Sequence, residues 1–247
     1  MQVAIIGGGW AGMAAAVKLS LDGHQPTVFE AGRQLGGRAR NLELPDGTIA
    51  DNGQHILIGA YTECLRLMRI VGATPEQALL RRPLAMRYAD GNGLSFPDLP
   101  APLDALIGIA TASGWSLRER AALLGRALRW RVQGFRCADA ATVADICSGL
   151  PNRLLDEFIE PLSVSALNLP AAQASGSIFL RVLHDALFAG TGGSHFLLPR
   201  CGLGDLFPNP AAQWLQDRGH AVHTASRIQE LIPQGQQWLL RSSQAAL

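Results

Sequence analysis

The strongest constraint on this chain is a set of glycines between two apolar runs near its beginning. Residues 2–6 (QVAII) form a short apolar run that is typical of a buried parallel strand. The run AAAVKL that follows favours a helix, and a second β-rich run at 26–29 ends at Glu30. The glycines between the first strand and the helix have the spacing G-x-G-x-x-G: Gly7, Gly9 and Gly12. A strand, glycine turn, helix, strand and acid in this order predict an α/β fold whose parallel sheet binds a dinucleotide.

Each part of this pattern has a physical role in binding a dinucleotide. Gly7 allows a tight turn, Gly9 lets the backbone approach a pyrophosphate, and Gly12 lets the helix pack closely on the strand. The N-terminal turn of the helix, which includes Ala11, presents unpaired N–H groups to the phosphates. Glu30 can accept hydrogen bonds from both hydroxyls of an adenosine ribose, and its charge repels a 2′-phosphate, which disfavours NADP.

A second glycine element just beyond Glu30 indicates which dinucleotide is bound. Gly36 and Gly37 permit another close backbone approach, and Arg38 can neutralise a second side of the pyrophosphate through bidentate hydrogen bonds. NAD sites do not usually need this element. The element therefore indicates a dinucleotide site that differs from an ordinary NAD site.

The glycine pattern, the acid and the G-G-R element together resemble the amine oxidase and phytoene desaturase superfamily of FAD enzymes. The resemblance implies that the FAD contacts are Gly7, Gly9, Ala11, Gly12, Glu30, Gly36, Gly37 and Arg38. It also implies that Gly53 approaches the isoalloxazine ring, with Gln54 and His55 as the first polar side chains near its reactive face. His55 is either a catalytic acid or base, or an ordinary histidine beside a turn that Asp51 caps.

Later segments resemble a narrower group within this superfamily. They are DNGQHILIGAY, EPLSVSALNLP and LPRCGLGDLFPNPAAQWL, and they are similar to the squalene-associated FAD-dependent desaturases, also called hydroxysqualene dehydroxylases. That resemblance implies a polyisoprenoid substrate and reductive removal of a hydroxyl group, through loss of water to an allylic carbocation and then hydride delivery from reduced flavin. A carotenoid desaturase or an amine oxidase of the same superfamily is the nearest alternative. An inactive nucleotide-binding or partner-binding fragment is the alternative from another class.

The order of the segments predicts a Rossmann-like FAD-binding domain with an inserted, mainly helical substrate or lid region. We expect the first part of the FAD domain at 1–82, the insert at 83–192, and a return to the FAD domain at 193–247. The resemblance implies that Ile228 contacts the adenine through its backbone, and that a closing Gly-Asp segment and helix are missing at the C-terminus. We therefore expect this chain to hold the adenine half of FAD better than the flavin half.

Composition excludes several other classes of function. The formal charge of +1 gives no indication of a nucleic-acid partner. The four cysteines are scattered without metal-ligand spacing, which predicts no disulfide framework and no metal site. The chain has no signal-peptide pattern and no apolar stretch that could span a membrane. We expect a cytoplasmic protein.

A basic amphipathic segment at 116–136 suggests a further contact. Ser116 and Glu119 form a capping box that opens a helix. Its predicted apolar stripe comprises Leu117, Ala121, Leu124, Leu128, Val132 and Phe135. The stripe either packs on the core and leaves a solvated basic face, as most such helices do, or it docks on a membrane. An apolar substrate favours docking at the inner face of the cell membrane.

Overall fold

The computed structural model describes residues 1–188 and 190–242. The chain divides into two compact units, and each is described by itself below. The first unit comprises 1–57, 61–81 and 197–247, and the second comprises 58–60 and 82–196. Residues 243–247 of the first unit, the end of the predicted adenine-side segment, lie outside the described residues.

The strands are short and form several small sheets. In chain order they are β1 (Gln2–Ile6), β2 (Gln25–Phe29), β3 (Asn41–Glu43), β4 (Ile49–Asp51), β5 (Leu57–Ile58), β6 (Leu79–Arg82), β7 (Ala85–Arg87), β8 (Gly93–Ser95), β9 (Phe196–Pro199), β10 (Val222–His223), β11 (Ile228–Gln234) and β12 (Gln237–Ser242). The sheet orders are β1-β2-β10, β5-β9-β6, and the pairs β3-β4, β7-β8 and β11-β12.

The helices divide between the two units, with α1 to α3, α10 and α11 in the first and α4 to α9 in the second. In chain order they are α1 (Trp10–Leu21), α2 (Thr62–Ile70), α3 (Pro75–Ala78), α4 (Leu103–Ala110), α5 (Leu117–Val132), α6 (Val143–Cys147), α7 (Asn152–Leu154), α8 (Glu160–Leu167), α9 (Gly176–Phe188), α10 (Leu203–Leu206) and α11 (Pro208–Gln216). A π-helical turn, Leu155–Ile159, joins α7 to α8.

The parallel sheet of the first unit has β2 at its centre. β1 pairs with β2 from Gln2 opposite Gln25 to Ile6 opposite Phe29, and β10 pairs with the other side of β2. The prediction of a parallel β1 is confirmed, whereas the prediction that β1 is buried is wrong. Its residues alternate between exposed and half-buried, with Ile6 50% exposed, because β1 has a strand neighbour on one side only among the described residues.

Helix α1 and helix α11 cover the core of the first unit. The core includes the completely buried side chains of Met13 and Val17 on α1 and Leu215 on α11. β11 and β12 form a hairpin, whose turn carries Gly235 with φ +61°. Apolar packing of α1 against β2 therefore positions the glycine turn that precedes α1.

The second unit has a core of its own, which is mainly aliphatic and includes several large aromatic side chains. Its buried members include Trp115, Leu123, Trp130 and Phe179. Helix α5 begins at the predicted capping box, with Glu119 N donating to Ser116 Oγ and Ser116 N donating to Glu119 Oε2.

The face that α5 buries differs from the predicted apolar stripe. Leu123 and Trp130 are its buried side chains, whereas Leu117, Leu128 and Val132 are 81%, 62% and 80% exposed. The helix has two apolar faces that could pack on the core. The face with Leu123 and Trp130 is the one buried, because the indole of Trp130 removes a larger apolar area from water. The helix also ends at Val132, short of the predicted end at residue 136. Among residues 1–188 and 190–242, no helix is long and apolar enough to cross a membrane.

Candidate cofactor-binding site

The turn between β1 and α1 is held by backbone contacts that only glycine allows. Gly7 N donates to Phe29 O at 2.8 Å, which ties the turn to the end of β2. A Cβ on Gly12 would lie 1.9 Å from Gly7 O. With any other residue at position 12, α1 could not pack this closely against the turn.

The N-terminus of α1 is open to an anion. Gly9 is the N-cap residue and provides no side-chain cap, and the first turn contains no acidic residue. The N–H groups of Trp10, Ala11 and Gly12 are therefore available, and the helix dipole adds partial positive charge at the same place. This arrangement suits a pyrophosphate.

Glu30 is fixed at the end of β2 by two backbone donors. Gly8 N donates to its Oε2 and Gly32 N donates to its Oε1, both at 2.7 Å. A carboxylate has about four acceptor positions, so two remain for the hydroxyls of a ribose. Glu30 thus joins the glycine turn to the loop after β2, in addition to its predicted role in recognising the ribose.

The second glycine element lies directly against the first. Gly36 N donates to Gly8 O at 2.9 Å, and Gly9 and Gly36 form an isolated parallel β-bridge. Gly36 has φ +102°, and a Cβ there would lie 2.6 Å from Ala39 O. The loop 36–38 therefore forms a second wall of the same cradle.

Arg38 is exposed at the edge of this cradle. Its carbonyl accepts a hydrogen bond from Asn52 Nδ2 at 3.2 Å, which holds the backbone. Its guanidinium has no hydrogen bond or ion pair with any of the described residues. The side chain is therefore available to a second phosphate oxygen.

The three residues predicted near the flavin ring lie on an exposed segment. Gly53, Gln54 and His55 are all exposed, and Gly53 has φ +133°. His55 Nδ1 lies 3.2 Å from Gly53 O, which can accept a hydrogen bond from this ring nitrogen. The structure brings this segment to the loop 38–40 through Asn52, but it shows no bond from His55 to the glycine turn.

β10 and the turn after it, in the segment 193–247 predicted to return to the FAD domain, lie next to Glu30. Glu30 N donates to His223 O, and Ser226 N donates to Glu30 O, both at 2.8 Å. Ala225 N donates to Gly32 O at 2.7 Å, in a turn where Ala225 has φ +52°. Ile228 follows at the start of β11 and is half-buried. Its predicted backbone contact with adenine stays a prediction.

A polar cluster that supports this site was not predicted from the sequence. Asn41 Oδ1 accepts from Gly204 N at 2.8 Å, and Asp51 Oδ1 accepts from Leu203 N at 2.9 Å. Both contacts join the β3–β4 pair to the start of α10, about 150 residues further along the chain. The glycines at 202 and 204 were the available signal, since a Cβ on Gly202 would lie 2.4 Å from Asn41 Oδ1.

These groups fit the adenosine diphosphate part of FAD. They comprise an uncapped helix N-terminus, a carboxylate with free acceptor positions, two glycine walls in contact and an unpaired arginine. Among the described residues, no group of three or more His, Cys, Asp or Glu side chains could hold a metal ion.

The fold and the cradle define a dinucleotide-binding α/β protein. The model of the family described as flavin containing amine oxidoreductase matches residues 10–241. The chain belongs to this family, which confirms the predicted fold class and FAD as the cofactor.

Two curated relatives and one solved structure show how far the similarity extends. The chain is 28% identical to the hydroxysqualene dehydroxylase of Rhodopseudomonas palustris over 94% of this chain and 55% of the relative. It is 26% identical to the zeta-carotene desaturase of a Synechocystis strain over 94% of this chain and 50% of the relative. An oxidoreductase from Methanosarcina mazei superposes with a TM-score of 0.71 at 19% identity, over 100% of this chain and 57% of that one. The chain thus spans about half the length of the curated relatives it matches.

Proposed function

We propose that this chain is the FAD-binding part, and some of the substrate-binding part, of an oxidoreductase that reductively removes the hydroxyl group of hydroxysqualene to give squalene. The observation that carries the proposal is the cradle formed by Gly9, Gly36 and Glu30 in a chain that matches hydroxysqualene dehydroxylases over 94% of its length. FAD, when bound, supplies hydride transfer to or from the substrate. The residues of this chain orient the cofactor.

The cradle accounts for one half of the cofactor in particular. The α1 N-terminus, Glu30 and the loop 36–38 provide donors and acceptors for phosphates and ribose. The proposed flavin-side residues, Gly53, Gln54 and His55, are exposed. We therefore propose that most of the binding free energy of FAD comes from its adenosine diphosphate part in this cradle, so that ADP binds this chain nearly as tightly as FAD does. In this proposal His55 is the candidate acid or base beside the flavin.

The reaction can be tested with FAD-loaded, chemically reduced protein under anaerobic conditions. One arm contains this chain alone, and a second adds a polypeptide that corresponds to the C-terminal half of the curated relatives. Each arm receives hydroxysqualene, and the products are extracted and separated by gas chromatography and mass spectrometry. Squalene in either arm, in proportion to reduced flavin consumed, is the expected result. FAD bound in both arms with no squalene in either would refute the reaction.

A carotenoid desaturase is the second candidate, because zeta-carotene desaturases also match this chain. Desaturation consumes oxidised rather than reduced flavin, so the same preparation distinguishes the two functions. Oxidised protein incubated with phytoene or zeta-carotene would then bleach its flavin absorption and lengthen the conjugated polyene. An amine substrate provides a third arm.

We also propose that α5 brings the protein to the cytoplasmic face of a membrane. Leu117, Leu128 and Val132 form an exposed apolar stripe on α5. Four exposed arginines on α5 and just beyond its end accompany the stripe: Arg118, Arg129, Arg131 and Arg136. An apolar face beside excess positive charge is typical of a helix that lies at an anionic membrane surface. An apolar substrate dissolved in the bilayer would then be close to the protein.

Replacing Leu128 with aspartate tests this contact. Burial of a leucine side chain is worth about 1.5–3 kcal/mol, and the added negative charge is repelled by anionic lipid, so we expect at least about tenfold weaker binding to vesicles. The measurement is co-sedimentation with vesicles that contain phosphatidylglycerol. Ile178→Asp is the matched control, because Ile178 on α9 is 55% exposed and the change in charge is the same. Equal loss in both variants, or no loss in Leu128→Asp, would contradict the proposal.

A further inference from the structure

A cavity of about 250 Å³ lies in the second unit, beside the C-terminal half of α5. Its walls are rich in guanidinium groups. Arg129 and Arg136 also belong to the exposed charge proposed for the membrane contact, but the cavity itself has no role in that contact. The lining residues that matter here are Arg126, Arg129, Trp130, Gln133, Arg136 and Asp145. Arg129, Gln133 and Arg136 are exposed, so the cavity opens to solvent on their side.

The helix and the turn after it bring the arginines to one place. Positions 126, 129 and 133 are three and four residues apart and share one flank of α5. The chain then turns through Gly134 and Phe135, whose φ values are +64° and +56°. This left-handed turn brings Arg136 to the same cavity.

One of the three arginines has a structural role. Arg126 donates from Nη1 to Ile146 O and from Nη2 to Ser148 O, the latter at 2.6 Å. These bonds satisfy carbonyls at the C-terminal end of α6, where the helix leaves them without partners. Arg126 therefore adds charge to the cavity, but its orientation is set by α6.

The other two arginines have no such role. Within the part of the chain that the structure describes, neither Arg129 nor Arg136 forms a hydrogen bond or an ion pair. Gln133, whose side chain can both donate and accept hydrogen bonds, lines the same cavity. Two guanidinium groups with all their donors free at one opening are suited to an anion with several oxygens.

The remaining charges in the cavity leave it positive. Asp145 is the acidic residue in its wall, and its carboxylate accepts from both the backbone N and the hydroxyl of Thr142. Those bonds lower the pKa of Asp145, so it carries one negative charge at neutral pH. Burial raises the pKa of the Cys137 thiol, which is therefore neutral. Three arginines and one carboxylate give a net charge of +2.

We propose that this cavity is a binding site for a phosphate monoester or diphosphate group, held by Arg129 and Arg136. A carboxylate would neutralise one positive charge, whereas a phosphate monoester carries about −1.5 to −2 at pH 7 and matches the net charge of the walls. Its oxygens can accept two N–H groups from each guanidinium. Gln133 donates a further hydrogen bond, and the carbonyl-bound Arg126 contributes charge at the base of the site.

Pyrophosphate is the probe for this site, and isothermal titration calorimetry measures its binding to the purified protein. The protein is first saturated with FAD, so that the cradle at the N-terminus of α1, which also suits a pyrophosphate, is occupied. We then expect saturable binding of one pyrophosphate per chain that weakens as salt is added. Replacing Arg129 and Arg136 with glutamine should weaken it about 100-fold, at roughly tenfold for each lost charged donor. Arg118→Gln/Arg131→Gln is the matched control, because it removes the same charge from the same helix outside the cavity, and it should change binding by less than about threefold.

A second measurement does not depend on variants. Phenylglyoxal modifies accessible arginines, and peptide mass spectrometry locates the modified sites. Pyrophosphate should protect Arg129 and Arg136 and leave Arg118 reactive. Two outcomes would overturn the proposal: no saturable binding in the millimolar range, or equal weakening and equal protection at the cavity and control arginines, which would indicate general charge attraction.

The phosphate group could belong to a lipid headgroup or to a soluble molecule, and vesicles distinguish these sources. Binding to vesicles that contain phosphatidic acid is compared with binding to vesicles of phosphatidylcholine alone. If Arg129→Gln/Arg136→Gln loses more binding to phosphatidic acid vesicles than the control does, the phosphate group belongs to a lipid headgroup. Pyrophosphate binding without that loss identifies a soluble ligand. Leu128→Asp should retain pyrophosphate binding, which separates this site from the apolar contact of α5.

Discussion

Replacing Gly12 with alanine is expected to destabilise the first unit and to abolish measurable binding of FAD and ADP. The new Cβ would lie 1.9 Å from Gly7 O and 3.1 Å from Gly7 C, and backbone atoms cannot move aside as a flexible side chain can. Overpacking of this kind costs about 1–3 kcal/mol, which is roughly 5–10 °C in Tm near its upper end for a chain of this size. The N–H groups of the first turn of α1 would also lose their alignment with the phosphates. Thermal unfolding and ADP titration measure the two effects.

Gly125→Ala is the matched control for that substitution. Gly125 lies inside helix α5, and nothing lies within 4 Å of the position that its Cβ would occupy. Alanine there should be neutral or stabilise by up to about 1 kcal/mol, because alanine favours a helix more than glycine does. A Gly12→Ala protein that melts and binds ADP as the unsubstituted chain does would contradict this close approach of α1 to the turn.

Replacing Glu30 with glutamine is expected to weaken ADP and FAD binding by about 10- to 100-fold, which corresponds to about 1.5–3 kcal/mol for lost hydrogen bonds to a charged group. Glutamine has one acceptor oxygen where glutamate has two. It therefore cannot accept from Gly8 N and Gly32 N through separate oxygens and also receive a ribose hydroxyl at each. Calorimetric titration with ADP measures the loss.

Glu30 has two candidate roles, recognition of the ribose and support of the glycine loop. The preference of Glu30→Gln for ADP over ADP that carries a 2′-phosphate distinguishes them. If Glu30 meets the ribose, Glu30→Gln should also reduce discrimination against ADP that carries a 2′-phosphate, because the repelling charge is gone. A purely structural role would weaken both ligands equally. Glu43→Gln makes the same change in charge on an exposed strand residue of the first unit and should leave both affinities unchanged.

The local part of the fold could be predicted because its signals are close together in sequence. The strand, glycine turn, helix and acid all lie within residues 2–30. The glycines there are required by tight turns or close backbone contacts, and the acid by the ribose. The capping box of α5 and the hairpin turn at Gly235 are local in the same sense. Local hydrogen bonds decide these elements, and composition within a few residues reveals them.

Long-range choices could not be predicted in the same way. The contacts of Asn41 and Asp51 with 203–204 depend on how distant segments pack, and no periodicity reveals them. The buried face of α5 is a second case, since Leu123 and Trp130 compete with an equally regular apolar stripe. Tertiary packing decides such competitions, so a hydrophobic pattern alone could identify a helix and still assign the wrong face.

The position of β1 in its sheet has a consequence for the behaviour of the chain in solution. Among the described residues only β2 pairs with this strand, so one side of it carries backbone N–H and C=O groups that no described strand satisfies. Natural edge strands are commonly protected by lysine, proline or a bulge. The strand QVAII contains neither lysine nor proline, and it pairs with β2 without a bulge. Such a strand is a template on which a further strand can add, in register and through main-chain bonds. Self-association through this ladder would depend on protein concentration and would persist at high salt, unlike an association held by the arginines of α5.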